Sequence, residues 1–188
     1  MHLKVILCIL LISVAGQASS QQKPALQLGY FGSFITHPGL RSGMEYALYS
    51  RDYLRESGNK INHSEVILTP HIGGYYHHQN HTGIFTGFDV GCRHTWHSGL
   101  MFEGFLSSDF FHAFFYGPTY KVNNGGEIEK VRFAGKSVWM NSVSIGGGYV
   151  LNEKLMWFFR PAFHLKSAIN TYHIPGGSLT TGLIINLP

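Results

Sequence analysis

Residues 155–166 read LMWFFRPAFHLK, and their alternate positions separate into two unlike faces. Leu155, Trp157, Phe159, Pro161, Phe163 and Leu165 share one face; Met156, Phe158, Arg160, Ala162, His164 and Lys166 share the other. A period of two is the side-chain period of a β-strand. The stretch outruns the about five or six residues usual for a strand in a soluble domain. It matches the roughly 9–11 residues that a tilted strand needs to cross a bilayer. A wholly apolar face suits lipid, whereas Arg160, His164 and Lys166 on the opposite face need water or counter-charges. A closed transmembrane barrel with a polar interior meets both demands. A sandwich strand with one buried face is the competing reading, and the rest of the chain bears on it.

The chain of 188 residues is the size of one domain. Lys4, the apolar run 5–14 and the small residues Ala15, Gly16, Ala18, Ser19 and Ser20 form a secretory signal peptide over 1–20, leaving 21–188 as a single barrel domain. Cys8 falls inside that apolar run, so Cys92 is the cysteine left after cleavage and no intramolecular disulfide is available. Charged residues are only 13 % and aromatics 14 %, with 23 Gly and no long apolar run, which fits a membrane barrel better than a water-soluble domain. The 14 Lys and Arg and 10 Asp and Glu are scattered without a basic block, so no nucleic-acid partner is indicated.

Alternation and turn residues predict an all-β chain of eight antiparallel strands, arranged as an up-and-down transmembrane barrel. The strands cover 26–36, 40–53, 63–76, 84–96, 100–116, 137–151, 155–166 and 179–187. Turn signals fall at His37-Pro38-Gly39, Ser57-Gly58-Asn59, His97-Ser98-Gly99 and Asn152-Glu153-Lys154, and loops at 77–83, 117–136 and 170–178. Short turns at one end and longer loops at the other are the pattern of outer-membrane barrels, with the long loops outside. Pro70 and Pro161 cannot donate to a ladder, so a bulge or a local break is expected at each.

The same alternation turns Arg41, Glu45, Glu65, Asp89, Arg93, Glu103, Asp109 and Arg160 inward. A three-residue turn at His97-Ser98-Gly99 pairs Trp96 with Leu100 and so sets Arg93 opposite Glu103 as a lumen charge pair. The same rule at Asn152-Glu153-Lys154 sets Arg160 opposite Gly146 and His164 opposite Ser142, small residues facing large basic ones. Eight strands enclose a space that side chains just fill, so a polar plug that stabilises the barrel is expected rather than an open pore or a catalytic pair.

On these features the chain resembles the small eight-stranded bacterial outer-membrane proteins of the OmpA and OmpX kind. The segments ILTPHIGGYYHHQNHTG (67–83) and YGPTYKVNNGG (116–126) also resemble uncharacterised outer-membrane proteins. The resemblance implies an outer-membrane location and contact with membrane lipid, and carries no motif that assigns an activity. Such barrels commonly end in an aromatic residue, whereas this chain ends Asn186-Leu187-Pro188.

The functional expectation is a monomeric, non-enzymatic barrel acting through its outside loops on a surface partner or extracellular ligand, in adhesion, surface protection or envelope integrity. No cofactor is required by it. The loop histidines His77, His78 and His81 form a candidate site for a divalent transition metal, with His37 or His173 completing it. The alternative to metal there is a solvated polar loop. A lipid-modifying envelope enzyme would need a base such as His112, but Ser108 on the same face lies two steps away, roughly 13 Å. A soluble ligand-holding barrel would need the inverse arrangement of apolar and polar faces.

Overall fold

The computed structural model describes residues 23–33, 36–54, 61–78, 80–117, 119–123, 126–131, 134–168 and 171–187. The signal-peptide segment lies outside the described residues. Among them are β1 (Ala25–Ser33), β2 (His37–Leu54), β3 (Ile61–His77), β4 (His81–Thr95), β5 (Leu100–Phe115), β6 (Thr119–Val122), β7 (Ile128–Val131), β8 (Gly135–Asn152), β9 (Leu155–Ala168) and β10 (Thr171–Asn186). Eight of these close into one ring in the order β1-β10-β9-β8-β5-β4-β3-β2, while β6 and β7 pair separately as a hairpin. Each barrel neighbour is antiparallel, and β1 closes the ring against β10 through Ala25↔Asn186 to Ser33↔Ser178. The fold is therefore an all-β, eight-stranded antiparallel closed barrel.

The expected register between β4 and β5 holds along the whole ladder, Arg93↔Glu103 included. Between β8 and β9 the pairs Ser142↔His164 and Ser144↔Ala162 also follow the expected sum, but the turn differs. Asn152 pairs with Leu155, and a register shift between Val150 and Asn152 absorbs the extra residue. The connection is thus a two-residue turn backed by a bulge. Pro70 and Pro161 produce no register shift. Instead the β2–β3 pairing passes from Gly43↔His71 to Tyr46↔Leu68, and the β8–β9 pairing from Ser144↔Ala162 to Gly147↔Phe159. The ladder is interrupted for two pairs beside each proline because the ring has no N–H to give.

Strands at one end run further than apolar alternation indicated. His37-Pro38-Gly39 is the start of β2 and not a turn, His77 and His81 close the β3–β4 ladder as a pair, and β10 begins at Thr171. Backbone ladders need no apolar side chains, so polar residues continue them where the strands stand clear of an apolar medium. The expected contrast of long loops against tight turns is correspondingly weaker. Only the connection between β5 and β8 is long, and it carries the β6–β7 hairpin. That hairpin marks one end of the barrel, the loop end; both described termini lie at the opposite, turn end. Gly99, in the β4–β5 turn, takes φ +85°, a left-handed conformation that favours glycine.

The outward face of the ring is apolar. Leu106, Val143 and Ile145, halfway along neighbouring strands, are 67 %, 48 % and 60 % exposed. Trp96, Tyr149 and Trp157 stand outward near the turn end, and Tyr76, Tyr116 and Trp139 toward the loop end, all exposed. Aromatic girdles flanking an aliphatic band are the outside of a membrane barrel. Inside, the arrangement inverts: Glu45, Asp89, Arg93, Glu103, Asp109 and Arg160 are all buried.

Candidate functional site

The lumen is filled in three layers. Toward the loop end, Phe31, Tyr75, Phe85, Phe111, Ala113, Val138 and Met140 form one apolar cluster. Toward the turn end, Ala25, Met101, Phe158 and Ile184 form a second. Glycines on adjacent strands make room for the rings: a Cβ on Gly73 would collide with Phe85, and one on Gly91 with Phe105.

Between these clusters runs a continuous chain of charge. Arg93, from β4, donates from Nη1 and Nη2 to Glu45 Oε2 and Oε1 at 2.8 and 2.9 Å and from Nε to Glu103 Oε2 at 3.1 Å. Arg160, from β9, donates from Nε to Glu103 Oε1 at 2.9 Å and from Nη1 to Asp89 Oδ2 at 3.4 Å. Its guanidinium lies 4.2 Å from the Phe105 ring centroid and 5.0 Å from that of Phe158, so apolar packing and charge meet on one residue. Arg41 bonds Asp89 and donates to His71 Nδ1 at 2.9 Å. The same nitrogen lies 3.2 Å from the Thr69 carbonyl oxygen, and His71 Nε2 lies 2.8 Å from Asp109 Oδ1. Gln27 donates to Glu45 at 3.0 Å. Burying these charges is tolerable because they are paired, Arg93, Arg160, Glu103 and Asp89 each with more than one partner.

All eight inward charges read from the sequence belong to this interior, and His71 joins them. The signal for His71 was available, since it shares the face of Glu65 and Thr69 at period two. Space remaining at the centre, lined by Arg41, Asp109, Arg160 and His164 among others, is about 20 Å³, room for about one water. A larger recess of about 340 Å³ opens at the turn end over Glu45, Glu65 and Arg93.

At the turn-end rim, His63 Nδ1 is 2.5 Å from Asp52 Oδ1 and its Nε2 is 3.1 Å from Glu65 Oε1. Burial alone would lower its pKa, but hydrogen bonds to Asp52 and Glu65 and their charges outweigh burial and raise it.

The loop-end mouth gathers histidines. His37 and His77 stack with ring centroids 3.9 Å apart, and His77 and His81 follow at 5.3 Å. His78 does not join them; it packs edge-on to the outward Tyr76. A residue that follows an inward strand position points outward, so His77 and His78 part company. The His173 side chain lies outside the described residues. Burial, and then the neighbouring His77, Lys166 and His37, hold the His81 imidazole below its usual range. On the outside wall, His112 Nδ1 lies 2.7 Å from Ser137 Oγ on the adjacent strand, while Ser108 donates to Asn141.

No protein-family model matches the chain, and no curated protein matches it in sequence. Three solved barrels are similar in shape. The Neisserial surface protein A is 10 % identical, with 87 % of this chain and 96 % of that one covered and a TM-score of 0.46. The N-terminal β-barrel domain of Pseudomonas aeruginosa OprF is 14 % identical, with 87 % and 98 % covered and a TM-score of 0.47. Ail, the attachment invasion locus protein of Yersinia pestis, is 11 % identical, with 88 % and 99 % covered and a TM-score of 0.40. At these scores the likeness is one of general shape.

Proposed function

We propose that this chain is a monomeric bacterial outer-membrane protein whose lumen is closed and which acts without catalysis. It works through its loop-end surface in adhesion, surface interaction or envelope integrity. One observation carries the reading: the barrel is inverted relative to a water-soluble one, with an exposed apolar exterior and a buried charged interior. Lipid is the solvent that makes such an exterior stable. The turn end faces the periplasm on this reading, and the β6–β7 hairpin and the histidine mouth face outward.

The membrane reading is tested by Leu106→Arg. In a bilayer, arginine at the middle of the apolar band costs about 2–4 kcal/mol. In water, a substitution at an exposed site costs within about 0.5 kcal/mol. Wild-type protein should migrate differently boiled and unboiled and should resist carbonate extraction, and Leu106→Arg should unfold at lower denaturant. Equal stability of the two proteins, with extraction by carbonate, overturns the reading. The plug is tested in planar bilayers, where steady single-channel conductance would contradict it.

A second reading has one contact in its favour. His112 and Ser137 form a base–hydroxyl pair on the lipid-facing wall, the geometry a lipid esterase needs. It predicts ester hydrolysis of membrane lipid that disappears in both His112→Ala and Ser137→Ala. Activity unchanged by either substitution, or none at all, removes it.

A further inference from the structure

We propose that the loop-end mouth is a binding site for a divalent transition metal ion, with His37 Nε2, His77 Nε2 and His81 Nδ1 as its ligands. This goes beyond the non-catalytic surface role and replaces His78 of the sequence reading with His37. The argument starts from tautomers. His37 Nδ1 lies 3.0 Å from the Ser33 carbonyl oxygen, and His77 Nδ1 lies 2.9 Å from that of His78. A carbonyl only accepts, so both Nδ1 atoms carry the proton and both Nε2 atoms keep a lone pair.

His81 reaches the same state from the opposite edge. Its Nε2 lies 3.1 Å from Tyr75 Oη. Lys166 Nζ already donates to that oxygen at 3.2 Å, and the Tyr75 hydroxyl is bonded to Ser33. When His81 donates from Nε2–H to the Tyr75 oxygen, Nε2 is the anchored nitrogen. The lone pair then lies on Nδ1, which is buried and has no hydrogen-bond partner. Three imidazoles thus meet at one mouth with one nitrogen anchored and the other bare. Metal-ligating histidines show this pattern, the non-ligating N–H being held by a carbonyl or another acceptor.

The spacing is near what ligation requires. Two imidazoles on one tetrahedral ion have ring centroids roughly 5 Å apart, from metal–nitrogen bonds of about 2.0–2.1 Å. His77 and His81 stand at 5.3 Å, and His37 and His77 at 3.9 Å. Among the described residues no group of three donors already stands as a metal site. Closure requires the His37 and His77 rings to splay and turn about χ2, a broad, roughly two-fold torsion. All three side chains are only partly buried at the mouth, which leaves room for that turn. Three neutral nitrogen donors without a thiolate suit zinc, cobalt or nickel and not calcium or magnesium. Three ligands also leave a fourth position open to water or an external donor.

The test is titration of the refolded barrel in detergent with Co²⁺ alone, followed by visible absorption, and then displacement by Zn²⁺. One Co²⁺ per chain is expected, with the intense d–d bands of a four-coordinate ion that Zn²⁺ abolishes. His37→Ala and His81→Ala should each weaken binding at least about tenfold, whereas His78→Ala should leave it unchanged. Heat-modifiable migration of every variant confirms that the barrel is intact. Absence of binding in an intact barrel overturns the site. So does binding that survives His37→Ala and His81→Ala, or that falls equally in His78→Ala. Carbonate extraction reports the membrane location separately, so failure of either reading is recognisable without the other.

Discussion

Removal of Arg93 should expose how unevenly the buried charges depend on one another. Its guanidinium holds Glu45 by two hydrogen bonds and Glu103 by one. In Arg93→Ala, Glu103 keeps the Arg160 bond at 2.9 Å, whereas Glu45 keeps only the amide of Gln27 at 3.0 Å. The stranded charge is therefore chiefly Glu45. Leaving a buried carboxylate without its cation costs about 3–5 kcal/mol. The 340 Å³ recess at the turn end is lined by Glu45 and Arg93, so water can reach the wound. That places the cost near the lower limit, about 3 kcal/mol, roughly a hundredfold in the folding equilibrium. Adding Glu45→Gln to Arg93→Ala should recover most of the loss, and adding Glu103→Gln should recover little, since it also deprives Arg160 of a partner. Denaturant titration of the barrel in vesicles, followed by tryptophan fluorescence, measures both double variants. Rescue by Glu103→Gln equal to or greater than rescue by Glu45→Gln would refute the reasoning.

Two further outcomes are expected. The raised pKa of His63 means that its bonds to Asp52 and Glu65 stabilise the barrel fully below the unfolded value of about 6.5 and fade as pH rises through the folded one. The stability difference between wild type and His63→Gln should accordingly be larger at pH 5.5 than at pH 8.5, and a difference independent of pH would show that the contacts carry no charge. Gly73→Val should cost about 1–3 kcal/mol, because the Phe85 ring occupies the space of a side chain at Gly73; unchanged stability would mean that the ring moves aside freely.

Much of this molecule is legible in the order of its residues, and the reason is local. In a strand, side-chain direction follows from parity alone, so the inward set of Arg41, Glu45, Glu65, Asp89, Arg93, Glu103, Asp109 and Arg160 could be read without a structure. A short turn fixes the register of the two strands it joins, which is why Arg93 opposite Glu103 was readable across His97-Ser98-Gly99. Compensation is harder to foresee: the bulge beyond Val150 leaves the β8–β9 register as expected although the turn itself differs.

Contacts across the lumen were not legible. Arg93 meets Glu45 across β4 and β2, Arg160 meets Asp89 across β9 and β4, and Arg41 meets Asp89 across β2 and β4, none of them neighbours in the ring. Those meetings depend on how far each strand is staggered as the sheet closes, a property of the whole barrel that no single turn encodes. At the mouth the contacts join neighbouring strands, and there the register decides. The sequence by itself determined strands, faces and an interior filled with charge, because period two and turn chemistry act between near neighbours. Parity also turned His78 away from His77, but only the tertiary structure decided that His37, from β2, would stack on His77, from β3, because the β2–β3 register carries a shift between Ala47 and Tyr49 that residue spacing does not encode.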